Sequence, residues 1–169
     1  MLSAKPYLTI SVGELFQTDR YKMKQLAYLV LVSMVLFSYS TGEARNTLHK
    51  VSIEEALAWG EREGVLLDSI HLYFGDQEHP AIEQNLGTYT ANKKTNGVGK
   101  SDQKACQWAF LGAMKTLQGR ARTEGGNAVV NIHSYYYKKE YSSTTDFECG
   151  AGAVMSGVTM VGTVVRLAE

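Results

Sequence analysis

Two cysteines, Cys106 and Cys149, are the side chains of this sequence best able to form a covalent link. In an exported protein, a single pair of cysteines usually forms one disulfide bond. A bridge between these two would stabilise the fold by about 4 kcal/mol on the chain-entropy model. Two alternatives stay open, namely a thiol pair for metal or redox chemistry and unpaired cysteines in a core. Redox pairs are usually spaced as Cys-x-x-Cys, which is absent here, so the sequence favours a disulfide.

A second group of reactive side chains lies between residues 71 and 79. It contains two imidazoles and two carboxylates, from His71, Asp76, Glu78 and His79. Transition metals accept such ligands, so a metal site in this loop is one prediction. The four residues do not follow a recognised ligand spacing, and turns are commonly polar for solvation alone. A plain solvated turn is therefore the alternative.

Aromatic rings and charges are mixed in a third stretch, which contains Tyr135, Tyr137, Lys138, Lys139 and Tyr141. Rings beside cations can contact a protein or a glycan. The alternative is that tyrosines, which favour β-structure, fill the end of a strand while the lysines solvate a turn. We treat this stretch as a candidate contact surface.

No catalytic residue is predicted. No serine stands in a G-x-S-x-G elbow or beside a base at a readable spacing. A phosphate-binding loop needs G-x-x-x-x-G-K-[ST], and Gly99-Lys100-Ser101 matches its end. Lys94 stands where the first glycine should be, and its side chain would crowd the phosphate. Ser101 is explained equally well as a helix cap, so we expect no nucleotide and lean against an enzyme.

The amino-terminal part has the three features of a signal peptide. Lysines flank Met23, residues 26–37 form an apolar run, and the small residues Gly42 and Ala44 precede the expected cut. A membrane-spanning helix needs about 20 apolar residues, which is more than this run offers. An uncleaved anchor and a buried helix are the alternatives that remain.

This interpretation divides the chain into three parts. Residues 1–22 are an over-extended amino terminus, because Met23 suits the start of a signal peptide; residues 23–44 are that signal peptide; residues 45–169 are a single domain. The mature protein would be periplasmic or secreted. It would meet the membrane only through the signal peptide before cleavage.

The charge balance argues against polyanionic partners. Lys and Arg together number 17, as do Asp and Glu. Proteins that bind nucleic acids usually carry a concentrated positive field. We therefore expect no nucleic-acid partner, and an envelope protein is the partner class that fits an exported domain.

Hydrophobic periodicity predicts an α+β domain. Ser52 and Glu55 form a capping box that begins a short amino-terminal helix. A main helix is expected at about 101–124, where Cys106, Phe110, Ala113 and Leu117 form one apolar stripe. Strands are expected at 69–74, 86–91, 127–137 and in a final region through 158–167, with a polar loop at 92–101. This mixture predicts a small, mainly antiparallel sheet packed against the main helix.

Most of the predicted domain resembles a known family. The likeness is carried by Leu72-Tyr-Phe-Gly75, Thr90-Ala-Asn-Lys-Lys-Thr-Asn96, Lys100-Ser-Asp102, Cys106-x-Trp-Ala-Phe110, Gly125-Gly-Asn-Ala-Val-Val-Asn-Ile132, Tyr135-Tyr136 and Glu148-Cys-Gly-Ala-Gly152. The family consists of small exported proteobacterial proteins often labelled "excinuclease ATPase subunit". An excinuclease ATPase needs far more chain than this, so the label does not fit the residues.

More distant likenesses concern the layout of the domain. The main helix, Gly125-Gly-Asn-Ala-Val-Val130 and Gly162-Thr-Val-Val165 are similar to a small α+β domain named for heavy-metal binding. A disulfide-bonded lipoprotein sensor of envelope stress has a similar arrangement. These resemblances imply a helix packed on a small sheet, and a shared fold does not by itself transfer function.

The sequence therefore predicts an exported, non-enzymatic binding or structural module. A metal-binding protein that uses the 71–79 loop is one alternative, and an enzyme of unassigned class is another. No cofactor is expected unless a metal binds.

Overall fold

The structure, a computed structural model, describes residues 21–30 and 45–168. The chain divides into two units, Met1–Glu43 and Ala44–Glu169, and each is described by itself. In the first unit, residues 21–30 are helical and exposed. The rest of the predicted signal peptide and of the over-extended terminus, at 1–20 and 31–44, lies outside the described residues. Within the part that is described, no helix is both long and apolar enough to cross a membrane.

The second unit is an α+β domain with six strands and two α-helices. The elements in chain order are β1 (Asn46–Ser52), α1 (Ile53–Arg62), β2 (His71–Phe74), β3 (Ile82–Asn96), α2 (Asp102–Glu124), β4 (Ala128–Ser134), a 3₁₀ turn (Tyr136–Lys138), β5 (Asp146–Gly152) and β6 (Met155–Leu167). This confirms the predicted class, although the sheet is larger than expected.

The long strand β6 organises the sheet. Strand β3 pairs antiparallel with β6 along one side, from Ile82 opposite Leu167 to Asn96 opposite Met155. The other side of β6 is shared, since β5 pairs with its beginning and β4 with its later part. Strand β1 lies outside β5 in antiparallel register, and β2 lies outside β4 in parallel register. The sheet is therefore mainly antiparallel, as predicted.

Helix α2 covers one face of this sheet. Its predicted apolar stripe is buried, with Cys106, Phe110, Ala113 and Leu117 each at most 1% exposed. The Ser101 side chain accepts a hydrogen bond from the backbone N–H of Lys104 and caps the helix. At the other end Gly125 adopts a left-handed conformation (φ 78°), which glycine reaches without steric cost. The boundaries of the helix thus follow from local chemistry.

Helix α1 packs beside α2. The Ser52 half of its predicted capping box is present, because the Ser52 hydroxyl accepts from the backbone N–H of Glu55 at 3.2 Å. The Glu55 carboxylate accepts instead from the amide of Gln103. The rings of Trp59 and Trp108 meet edge to face, with centroids 4.5 Å apart. The buried Gln118 amide of α2 holds the connection after α1 by accepting from Leu67 N–H and donating to the carbonyl of Ile70. These contacts fix the short helix to the main one.

Two local predictions were wrong, and two features of the sheet were not predicted. Strand β3 continues through most of the expected 92–101 loop, the final region is a hairpin of two strands, and β1 was not foreseen. Alternation along β4 predicts that Val130 and Ile132 share one face, but they lie on different faces because Asn131 (φ 50°) forms a bulge. Ile132 joins the core under α2, whereas Val130 packs in a small separate cluster.

Candidate functional site

The most unusual backbone of the domain lies at the tyrosine-rich turn after β4. Tyr137 and Lys138 follow each other with φ of 51° and 60°, a conformation that non-glycine residues rarely adopt. Each such residue costs of the order of 1–3 kcal/mol and persists only where its surroundings impose it. The turn is anchored at its start, where Tyr135 N–H donates to the carbonyl of Thr159 at 2.7 Å. The strain is therefore held in place by the sheet.

The side chain of Asn46 holds two of the tyrosines together. Its amide nitrogen donates to the hydroxyl of Tyr137, and its amide oxygen accepts from the hydroxyl of Tyr136. The two rings meet at a steep angle with centroids 4.6 Å apart. Burial, with the neighbouring Tyr137, raises the pKa of the Tyr136 hydroxyl above its ordinary value. The Tyr136 hydroxyl lies over Gly150, where any Cβ atom would overlap it.

These tyrosines form one wall of a groove on the sheet face opposite α2. The groove has a volume of about 920 Å³ and a mostly apolar lining. We call it the tyrosine groove; its lining residues are 45–46, 92, 94, 135–138, 150 and 152–159. Several apolar side chains of this lining are exposed, with Tyr137 at 71%, Val154 at 61% and Met155 at 46%. Exposed apolar groups gathered in one concave place are typical of a binding surface.

Among the described residues, the charged side chains that line the tyrosine groove are all cationic: Arg45, Lys94 and Lys138. Arg45 donates to the carboxylate of Asp102 at 2.7 Å, outside the lining. That hydrogen bond lowers the pKa of Asp102 below its ordinary value. Lys94 and Lys138 form no ion pair within the described residues. The groove therefore carries positive charge that this part of the chain leaves largely uncompensated.

The predicted disulfide is present. The sulfur atoms of Cys106 and Cys149 lie 2.03 Å apart, and both residues are fully buried. The bridge joins the second turn of α2 to β5, immediately before Gly150. It is compatible with an oxidising compartment outside the cytoplasm. Because both sulfurs are bonded, neither is a thiol that could serve metal or redox chemistry in this state.

The predicted metal ligands are exposed and divided between two elements, since His71 begins β2 and Asp76, Glu78 and His79 lie in the loop after it. The ring of Tyr73 lies near both histidines, with centroids 6.5 Å from His71 and 5.6 Å from His79. His79 Nδ1 lies 2.8 Å from the carbonyl oxygen of Pro80. Among residues 21–30 and 45–168, no three His, Cys, Asp or Glu side chains converge on a point where a metal ion could bind. The metal site of His71, Asp76, Glu78 and His79 stays a prediction without a preformed cluster.

The predicted contact surface is divided by the fold. Tyr135, Tyr137 and Lys138 line the tyrosine groove. Tyr141 instead pairs with Ser134 through its backbone and receives the ammonium group of Lys50 over its ring, 4.1 Å from the centroid. Lys139 is exposed outside the lining. The sequence therefore predicted the contact residues of one wall of the groove.

The other walls were missed. Asn46, Lys94, Val154 and Met155 come from the start of β1, from β3 and from the β5–β6 hairpin. Their one available signal was the glycine-rich sequence 150–157, which indicates a close approach of backbones. Glycines alone do not indicate which side chains from other strands lie beside this segment.

No protein-family model matches this chain, and no curated protein or solved structure matches it either. The family resemblance drawn from the sequence therefore stays a prediction, and the tyrosine groove is interpreted from its own chemistry.

Proposed function

We propose that residues 45–169 form an exported, non-enzymatic binding module whose contact surface is the tyrosine groove. The observation that carries the proposal is the turn at Tyr137 and Lys138. A strained backbone there holds a large aromatic side chain in solvent, where it gains little for stability. Such strain is concentrated at functional sites, because it is retained only where selection favours it.

The chemistry of the lining favours binding over catalysis. Among the described residues it offers tyrosine and threonine hydroxyls, amides and cations, but no histidine, cysteine or carboxylate. Those missing groups are the ones that most often act as general bases near neutral pH. An apolar groove with a few polar groups is typical of ligand recognition.

Export can be tested directly by fractionation. We expect the protein expressed with its own amino terminus in a Gram-negative host to accumulate in the periplasm. Its intact mass should correspond to a chain that begins at Arg45, because Gly42 and Ala44 suit signal peptidase. Recovery of the unprocessed chain in the cytoplasm with free thiols would contradict the export part of the proposal.

The contact surface can be tested by site-specific photo-crosslinking in the cells that express the protein. We expect a photoreactive residue at Tyr137 to give discrete adducts. The matched control is the same residue at Lys115, which is exposed on the solvent side of α2. Equal labelling at both sites, or no adduct at Tyr137, would contradict the proposal.

A further inference from the structure

The ligand class can be narrowed from the charge of the tyrosine groove. Its three charged side chains are all cationic, and Lys94 and Lys138 have no carboxylate partner in the described part of the chain. A cationic or neutral ligand would leave these ammonium groups uncompensated. An anionic group would form charge-assisted hydrogen bonds with them, which are stronger than neutral ones. The charge of the groove therefore matches an anion.

The remainder of the lining excludes a small inorganic anion as the best ligand. The same lining contains the rings of Tyr135 and Tyr137 and the side chains of Val154 and Met155. A bare phosphate ion would leave this apolar surface in water, whereas a hydrocarbon chain would cover it. The volume of about 920 Å³ also exceeds what an inorganic ion fills. It falls within the range of about 300–1,000 Å³ found for pockets that bind organic ligands.

Two glycines of the lining leave room for a slender chain. Gly152 and Gly157 present backbone instead of side chains. The stem of Lys94 lies beside Gly157, so its methylene groups extend the apolar surface, and the same exposed side chain carries a positive charge. Apolar surface and positive charge are thus provided together.

From this juxtaposition we infer that the tyrosine groove binds a single-chain amphipathic anion: a hydrocarbon chain that lies along the tyrosines and carries a carboxylate or phosphate head group next to Lys94 and Lys138. This inference rests on the proposed binding function and specifies its ligand. A fatty acid and a lysophospholipid share this chemistry and differ in the head group.

The test is calorimetric titration of the protein as isolated from the producing cell, with its disulfide intact. Four probes are used below their micellar concentrations: decyl phosphate, decanoate, decanol and inorganic phosphate. We expect decyl phosphate or decanoate, or both, to bind at least tenfold more tightly than decanol and than inorganic phosphate. The stronger of the two anions identifies the head group. Equal affinity for decanol, or binding of inorganic phosphate alone, overturns the inference.

Substitutions of lysines test whether the probes bind in the tyrosine groove. The double substitution Lys94→Met with Lys138→Met keeps the apolar stems and removes both charges. We expect it to weaken binding of the decyl anion about tenfold and to leave decanol unchanged. The matched control, Lys115→Met with Lys139→Met, removes two exposed lysines outside the lining and should leave both affinities unchanged. Equal losses in the two double variants would assign the effect to net charge and overturn the inference.

A third variant tests the apolar wall. Tyr137→Ala removes an exposed ring and should weaken the decyl anion and decanol by similar factors. Near-ultraviolet circular dichroism and thermal unfolding show whether each variant keeps its fold. If no decyl probe binds while crosslinks at Tyr137 persist, the ligand class is wrong and the binding module stands. If both fail, the proposed function fails as well.

Discussion

Two buried serines differ in what surrounds their hydroxyl groups, and this difference can be measured. Ser134 accepts from the backbone N–H of Glu148 at 2.9 Å, whereas the hydroxyl of Ser156 has no hydrogen-bond partner within the described chain. A buried polar group without a partner lowers stability. We expect Ser156→Ala to leave the free energy of unfolding unchanged or to raise it by up to about 1 kcal/mol. Urea denaturation provides the measurement.

Ser134→Ala is the matched control for that substitution. It leaves the backbone N–H of Glu148 without its hydrogen-bond acceptor and should destabilise the fold by about 1–3 kcal/mol. If the two variants lose equal stability, the Ser156 hydroxyl has a partner in solution, and its assignment as unpaired is wrong.

The strain at the tyrosine turn yields a second residue-level prediction. Lys138 has a positive φ, so Lys138→Gly should raise the free energy of unfolding by about 1 kcal/mol. Lys139 has an ordinary extended conformation (φ −105°, ψ 124°), and Lys139→Gly should lower it by about 0.5–1 kcal/mol. Opposite shifts of the urea midpoint are the expected result. Shifts of the same sign and size would mean that the turn is not strained at Lys138.

Among single residues, the sequence predicts those features that residue type and spacing decide. The caps at Ser52 and Ser101 and the pairing of Cys106 with Cys149 follow from residue type, spacing and context. The left-handed conformations of Asn131, Tyr137 and Lys138 do not, because nothing in their neighbours favours them locally. Tertiary contacts, such as those of Asn46 with the tyrosines, are needed to impose them.

Among the elements, the disulfide provides the firmest link between α2 and β5. Replacing both cysteines, Cys106→Ala with Cys149→Ala, should lower the free energy of unfolding by about 4 kcal/mol, because the unfolded chain regains the entropy of an open loop. Urea denaturation with and without dithiothreitol measures the effect. Reductant should destabilise the parent protein and leave the double variant unchanged. A parent that is insensitive to reductant even when its thiols are shown to be free would contradict the prediction.

The beginning of β1 is joined to the first turn of α2 by the ion pair of Arg45 and Asp102. The pKa of Asp102 is lowered in the fold by the hydrogen bond from Arg45. A lowered folded-state pKa means that the stabilisation is fully present above the unfolded value of 3.8 and is lost as pH falls through the folded value. We therefore expect the stability difference between the parent and Asp102→Asn to shrink below about pH 4.

Urea denaturation between pH 3 and pH 7 checks this dependence. Asp76→Asn, which removes a carboxylate from an exposed loop, controls for the general effect of one charge. A difference between the parent and Asp102→Asn that stays constant over this range would show that the ion pair contributes no stability.

Element boundaries were predictable where periodicity was strong. Helix α2 has a continuous apolar stripe, so its limits were predicted correctly. Strand β3 was cut short because it forms an edge of the sheet. Alternate positions such as Tyr89, Ala91 and Lys93 turn towards α2, and most of the others are polar and exposed. A polar strand of this kind has the composition of a loop.

At the scale of the whole molecule, the tyrosine groove could not have been predicted. Its lining comes from four segments, at 45–46, 92–94, 135–138 and 150–159, and no local pattern joins them. The α+β class was predictable because it depends on the alternation of helix and strand signals. The groove depends on the unusual topology in which β6 carries β5 and β4 on the same side. The proposed binding site is thus a property of the assembled sheet.

The position of Arg45 in the groove connects the predicted signal cleavage with ligand binding. Cleavage after Ala44 would leave a free α-amino group on Arg45, whose residue lines the groove. Such groups titrate near pH 8, so this one adds a positive charge at neutral pH. Cleavage would therefore add to the positive charge of the groove, whereas a chain that retains Glu43 carries one more carboxylate.

We expect the protein that begins at Arg45 to bind the decyl anion about two- to fivefold more tightly at pH 7 than a form that also carries Glu43 and Ala44, as befits one exposed charge. A third form has an acetylated amino group on Arg45. Compared with this form, the free terminus should lose its advantage above about pH 9, where its amino group is neutral. Decanol, which has no charge, should bind all three forms equally. Equal binding of the decyl anion by the free and acetylated termini at pH 7 would mean that the amino terminus does not reach the ligand, and the positive charge of the groove would then come from side chains alone.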